Sequence, residues 1–96
     1  MRKITTKCGY VAYETTLGET MSLGGFGICD ECNTMAYRGY LVPVLNHYMC
    51  PKCYNEWNDI AIFYEEDVPV EQRVSAYYES RIPLEKETEV ETVGKI

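Results

Sequence analysis

The fold of this chain is decided by residues 29–53, which read CDECNTMAYRGYLVPVLNHYMCPKC. They contain two Cys-x-x-Cys pairs, Cys29 with Cys32 and Cys50 with Cys53, separated by 17 residues. Two pairs at this separation are typical of a zinc ion held by four thiolates in a tetrahedral site. Because the intervening residues are enough for one β-hairpin, both pairs can reach the same ion. We therefore predict one Zn²⁺ per chain.

The residues between and after the pairs predict a hairpin followed by a helix. Strand-forming residues 37–44 precede a turn at Leu45-Asn46 and a second strand over 47–49. Pro51 suits the first turn of a helix. The apolar side chains that follow it recur at helical spacing: Tyr54, Trp57, Ile60, Ala61 and Tyr64. The second cysteine pair is thus expected at a helix N-terminus, where free N–H groups and the helix dipole favour thiolates.

A cysteine knuckle, a hairpin and a helix that donates two ligands resemble the treble-clef zinc fingers, over about residues 26–65. The Cys-x2-Cys-x17-Cys-x2-Cys spacing is similar to that of GATA-type fingers, and residues 47–50 look like the stretch before their second pair. The resemblance implies a treble-clef scaffold built on a structural zinc ion. GATA-type fingers carry an arginine-rich strand and a basic tail, whereas this chain has Arg38 alone in that strand and an acidic tail.

The flanking residues predict a small α+β domain around this core. Residues 1–25 are rich in β-branched and aromatic types and predict an N-terminal β-hairpin or small sheet. Asp67 is expected to cap a second amphipathic helix over 68–81, on which Val70, Val74, Tyr77 and Tyr78 share a face. A chain this short supports one domain. We place that zinc-stabilised domain at residues 1–81 and an acidic tail at 82–96.

Charge is distributed unevenly along the chain and bears on the partner. Residues 1–53 carry five basic and four acidic side chains, whereas residues 54–96 carry four basic and eleven acidic ones. A net charge of −6 repels a polyanion such as DNA, so nucleic acid is disfavoured as a partner. We expect a protein partner instead, because acidic and tyrosine-bearing helices suit protein contacts. The residues assigned to that contact are Glu65, Glu66, Asp67, Tyr77 and Tyr78.

The cysteine chemistry points away from catalysis. A closed site of four cysteines leaves no coordination position for water, so we expect a non-enzymatic adaptor, regulator or inhibitor. Three alternatives stay open: an acidic nucleic-acid mimic that blocks a nucleic-acid-binding protein, a GATA-like nucleic-acid-binding finger, and a thiol redox protein using a reversible Cys50–Cys53 disulfide. Four thiolates also accept iron in place of zinc.

Three further expectations concern the location and state of the chain. Five cysteines, an odd number, together with the lack of an apolar signal segment, predict a reducing, cytoplasmic location. No stretch approaches the roughly 20 apolar residues of a membrane span. Unpaired edge strands in the first 28 residues leave homodimerisation open. Cys8 and His47 receive no assigned role.

Overall fold

The computed structural model describes residues 1–85, and the rest of the expected acidic tail, residues 86–96, lies outside the described residues. The elements in chain order are β1 (Arg2–Thr5), β2 (Val11–Thr16), α1 (Leu17–Thr20), a 3₁₀ turn (Met21–Leu23), β3 (Arg38–Val42), β4 (His47–Met49), α2 (Pro51–Ile60), a second 3₁₀ turn (Glu65–Asp67) and α3 (Val68–Arg81). The α+β class is confirmed. Helix α3 occupies the residues predicted for the second helix.

All four strands form one antiparallel sheet in the order β1-β2-β3-β4. Strands β2 and β3 pair from Tyr13 opposite Leu41 to Thr16 opposite Arg38. The N-terminal hairpin is therefore continuous with the hairpin between the cysteine pairs. Pro43 follows the last residue of β3, so its missing N–H does not interrupt the ladder.

Alternation along the strands sends side chains to two cores on opposite faces of the sheet. One face is covered by α2, and its core consists of Ala12, Cys29, Val42, Met49 and Tyr54. The other face is covered by α3, and its core consists of Met1, Tyr13, Leu41, Tyr48, Tyr78 and Ile82. The sheet is thus the middle of three layers, and the cysteine side of the molecule belongs to the α2 layer.

Helix α2 is shorter than its sequence pattern indicates. It ends at Ile60, because Ala61 takes an extended backbone conformation with ψ at 144°. Ile60 and Tyr64 are consequently exposed rather than packed. The segment after the helix is held by the Tyr10 hydroxyl, which accepts a hydrogen bond from the Tyr64 N–H at 3.0 Å and donates one to Asp67 Oδ2 at 2.6 Å.

The role expected for Asp67 was therefore wrong in one respect. Asp67 does precede α3, but its side chain makes no capping hydrogen bond to the helix. Its carboxylate instead accepts the bond from Tyr10, a residue of the loop before β2. The start of α3 is tied to the sheet by this contact rather than by a local cap.

Packing continues past residue 81, where the sequence had placed the start of the tail. Ile82 has extended backbone angles that turn its side chain back into the α3-side core, and Leu84 packs against the same core. The Glu85 N–H also donates a hydrogen bond to the Met1 carbonyl at 2.8 Å. Residues 82–85 therefore belong to the packed structure.

Gly39 lies where β3 and β4 approach most closely. A Cβ atom at this position would lie 2.6 Å from the Met49 carbonyl oxygen and 2.6 Å from Cζ of Tyr48. Gly39→Ala should lower the free energy of unfolding of the zinc-loaded protein by about 1–3 kcal/mol, since overpacking has costs of that size. Urea titration measures this. In the control Gly18→Ala the new Cβ meets only Thr16 Oγ1 at 4.0 Å, so its stability should be unchanged or slightly higher. A G39A protein as stable as wild type would contradict the close approach.

Glu79 links α3 to the sheet and makes stability depend on pH. The Tyr13 hydroxyl donates to its carboxylate and Lys3 Nζ lies 3.2 Å away, and both contacts lower the pKa of Glu79 below its usual 4.5. This stabilisation is complete above the usual pKa and is lost as the pH falls through the folded-state pKa. Glu79→Gln should cost about 1 kcal/mol at pH 7. The stability difference between wild type and variant, from denaturant titrations, should shrink as the pH falls toward 3. A difference that stays constant would contradict the assignment.

Candidate metal centre

Four sulfur atoms converge at one point of the structure. The Sγ atoms of Cys29, Cys32, Cys50 and Cys53 all lie within 4.8 Å of one another, and those of Cys32 and Cys50 are 3.8 Å apart. Zn–S bonds of about 2.3 Å place the sulfurs of a tetrahedral site about 3.8 Å apart. A disulfide would need about 2.05 Å. The cluster therefore fits a single metal ion, with zinc the first choice for four thiolates.

The first cysteine pair lies in a tight turn that two hydrogen bonds close. The Asn33 N–H donates to the Cys29 carbonyl at 2.8 Å, and the Cys29 N–H donates to the Thr34 carbonyl at 2.9 Å. Asn33 has a left-handed backbone with φ at 63°, a conformation that asparagine tolerates better than most residues. The turn brings the sulfurs of Cys29 and Cys32 to the same side.

Asp30 docks this turn onto the sheet. Its N–H donates to the Tyr48 carbonyl at 2.8 Å, and its Oδ2 accepts the Tyr48 N–H at 2.8 Å. Tyr48 lies in β4, two residues before Cys50, so the contact fixes the first pair relative to the second. The sequence analysis missed this positioning role, for which the only signal was a short carboxylate between the first two cysteines.

The second pair begins helix α2. Cys50 is the N-cap residue with an extended backbone, Pro51 follows it, and Cys53 lies in the first turn, as predicted. Tyr54, the next residue, stacks on Tyr40 of β3 with ring centroids 3.9 Å apart and planes 10° apart. This stacking holds the start of the helix against the sheet, and hence holds both sulfurs in place.

The electrostatics of the cluster call for a cation. Hydrogen bonds with Thr34 lower the pKa of Cys32 to about 6. Desolvation, followed by hydrogen bonds among the neighbouring sulfurs, raises the pKa of Cys53. The Cys32 thiol therefore ionises more readily than a free cysteine, whereas the Cys53 thiol resists ionisation. A divalent metal favours the thiolate form and would displace the remaining protons on binding.

Cys8 and His47, whose side chains could also bind a metal, lie outside the cluster. Cys8 lies elsewhere, with its Sγ 3.8 Å from Thr6 Oγ1. His47 Nδ1 is 3.2 Å from Glu31 Oε2, close enough for an ion pair when the imidazole is protonated but without the geometry of a hydrogen bond. Neither residue belongs to the group of four.

The residues assigned to a partner surface are distributed over two places. Glu65 and Glu66 are exposed, while Asp67 is half-buried and bonded to Tyr10. Tyr77 is exposed, but it lies ten residues beyond Asp67, about 15 Å along the helix. The five residues therefore do not form one continuous surface.

Tyr78 must be removed from that surface. Its side chain is only 2% exposed and packs in the α3-side core. Its hydroxyl donates a hydrogen bond to Asn46 Oδ1 at 2.8 Å, which joins α3 to the β3–β4 turn. Neighbouring residues of a helix differ in direction, and here Tyr78 takes the inward position.

A groove that the sequence analysis missed lies beside the acidic turn. Its volume is about 290 Å³, and it runs between the β3–β4 turn and the segment after α2. Its lining residues are Tyr10, Val44, Leu45, Trp57, Ala61, Ile62, Tyr64 and Asp67. The signal was present as three successive large apolar residues, 62–64, beyond the end of a helix. Tyr64 was instead interpreted as a continuation of the buried face of that helix.

Comparison of the chain with protein-family models, with curated proteins and with solved structures finds no match. Within residues 1–85, none of the helices has the length and apolar character needed to cross a membrane.

Substitution of one cysteine of the cluster should weaken metal binding, whereas substitution of Cys8, which lies outside the cluster, should not. We expect one zinc per chain by native mass spectrometry, and unfolding on chelation, because the metal would join the knuckle to the start of α2. Cys53→Ser should weaken zinc binding by more than about 100-fold. Replacing a residue that only hydrogen-bonds to a metal ligand already lowers metal affinity by up to about 100-fold, and loss of a ligand should lower it further. In the control Cys8→Ser the affinity should be unchanged. A folded, metal-free chain with a reversible Cys50–Cys53 disulfide would contradict the metal site and favour redox chemistry.

Proposed function

We propose that this chain is a non-enzymatic, zinc-stabilised module that binds another protein and acts as an adaptor, regulator or inhibitor. The first knuckle, the β3–β4 hairpin and α2 form its treble-clef scaffold. The observation that carries the proposal is the apolar groove beside two exposed carboxylates. The four cysteine sulfurs of the chain would fill the coordination sphere of the metal, so the metal itself offers no binding position.

The metal has a structural role in this proposal. Four sulfurs fill a tetrahedral coordination sphere, so no position is left for a reacting water. Cys29 is buried and belongs to the α2-side core together with Val42 and Met49. The ion therefore completes a core that would be thin for a chain of 96 residues.

The groove suits an apolar side chain of a protein partner. A volume of about 290 Å³ is at the small end of the range for small-molecule sites, which starts near 300 Å³. Interface anchors are commonly single large side chains seated in such pockets. Ile62, one of its lining residues, is 64% exposed. Contact with a partner would remove this side chain from water.

The charge around the groove defines the partner further. Glu65 and Glu66 are exposed at its edge, so a partner with lysine or arginine next to its apolar anchor is favoured. An acidic nucleic-acid mimic would bind its partner through its charges and would not require an apolar groove. Nucleic acid itself is disfavoured, since Lys52 is paired with Glu56 at 3.0 Å and the chain has a net charge of −6.

A photo-crosslinking amino acid in place of Tyr64 tests the groove directly. We expect zinc-loaded protein carrying it to cross-link to a protein with a basic segment, identified by mass spectrometry. The same group in place of Tyr77, a similarly exposed tyrosine about 15 Å or more away, serves as the control and should capture much less. No captured protein from either position would contradict the proposal, and capture from Tyr77 alone would contradict the groove.

A matched pair of variants tests whether the charges of Glu65 and Glu66 contribute to partner binding. Glu65→Gln with Glu66→Gln raises the net charge by two at the groove, whereas Gln72→Lys with Ser80→Lys raises it by two on exposed positions of α3. The first pair should weaken cross-linking from residue 64 about 3- to 10-fold, and the second should leave it near wild type. Equal effects of both pairs would indicate attraction by net charge alone.

A further inference from the structure

Residues 27–29 and 34–36 form a short two-stranded ribbon that is joined by the turn of the first cysteine knuckle. Ile28 and Met35 form an antiparallel bridge. The bonds on either side of it run from the Ala36 N–H to the Gly27 carbonyl at 2.8 Å and from the Cys29 N–H to the Thr34 carbonyl. This pattern makes Ile28 and Met35 a non-hydrogen-bonded pair, in which the side chains are closest and share a face.

One side of this ribbon is apolar and faces solvent. Ala36 packs against the α3-side core, whereas Met35 and Tyr37 on either side of it are exposed. Tyr37 is 78% exposed, Met35 59% and Ile28 41%. Phe26 is 74% exposed and lies two residues before Ile28, within about 7 Å along the chain. We call these four side chains the ribbon face.

We propose that the ribbon face is the contact surface of a homodimer, with a second copy of this chain as its occupant. This goes beyond the proposed function and uses different residues. Residues 20–29 and 32–37 contain no Asp, Glu, Lys or Arg, in a chain with a net charge of −6. Two copies therefore meet less electrostatic repulsion through this face than through the acidic surfaces.

The exposed area is of the size that a small dimer needs. Large side chains contribute up to about 150–250 Å² each, so four that are mostly exposed give a patch of about 500–600 Å². That is the upper end for the largest patch on a typical monomer. A two-fold contact would hide about 1,000–1,200 Å² in total, which is the lower bound for a specific interface.

The charges at the two ends of the ribbon set its orientation. Glu31 lies at the knuckle end and Arg38 follows Tyr37 at the other end, and both are exposed. In a two-fold contact with antiparallel ribbons, Arg38 of each copy lies beside Glu31 of the other. A parallel arrangement would bring like charges together. The ribbon face is therefore self-complementary, as an isologous interface requires.

Sedimentation equilibrium of the zinc-loaded full chain tests the proposal. Wild type should dimerise with a Kd of about 1–100 μM, and Phe26→Ser with Tyr37→Ser should raise that Kd at least 30-fold or so. The matched control Ile60→Ser with Ile62→Ser removes two equally exposed apolar side chains from the groove side and should dimerise as wild type does. Zinc content confirms that each variant is folded.

A charge exchange tests the orientation. Arg38→Glu should weaken the dimer about 3- to 10-fold, and Arg38→Glu combined with Glu31→Arg should restore it. The proposal is overturned if wild type stays monomeric up to about 500 μM, or if the ribbon variant dimerises like wild type. Cross-linking from Tyr64 does not depend on this surface, so a failure here leaves the proposed partner groove standing, and the reverse also holds.

Discussion

The structure depends on holding four cysteine sulfurs together without bonds between them. Thiolates at these separations repel one another, so the arrangement persists when a cation lies at its centre. The knuckle and the start of α2 both contribute sulfurs to that point, and their relative positions are set there. Since Cys29 also packs in the α2-side core, binding of a metal would be coupled to formation of that core.

Features that local chemistry determines could be predicted from the sequence. The cysteine spacing predicted the convergence of the four sulfurs, and Pro51 predicted the helix that carries the second pair. Helix α3 was predicted over its observed residues, because its apolar spacing and the extended Ile82-Pro83 segment mark its extent. The two helices depend on neighbours within a few positions along the chain, and the sulfur cluster was predicted because two such pairs at this separation are typical of zinc sites.

Features that depend on distant residues could not be predicted. The pairing of β2 with β3 joins residues more than 20 positions apart, and no local pattern shows which strands become neighbours. Tyr64 continues the helical spacing of α2, yet Tyr10, 54 positions earlier, binds its N–H in an extended segment. The same hydroxyl donates a hydrogen bond to the side chain of Asp67, which the sequence predicted to cap the following helix. The groove beside the acidic turn also arises from non-local contacts, since Tyr10, Val44 and Ile62 all line it.

The docking of the knuckle by Asp30 has a consequence for the lifetime of the protein. Asp30 covers the outer side of β4, using both the N–H and the carbonyl of Tyr48. Without a metal at the cluster, these two hydrogen bonds alone would hold the knuckle on β4. Their loss would leave β4 with an uncovered edge that can template pairing with other chains. Occupancy of the metal site would then affect how long the folded chain persists as well as its shape.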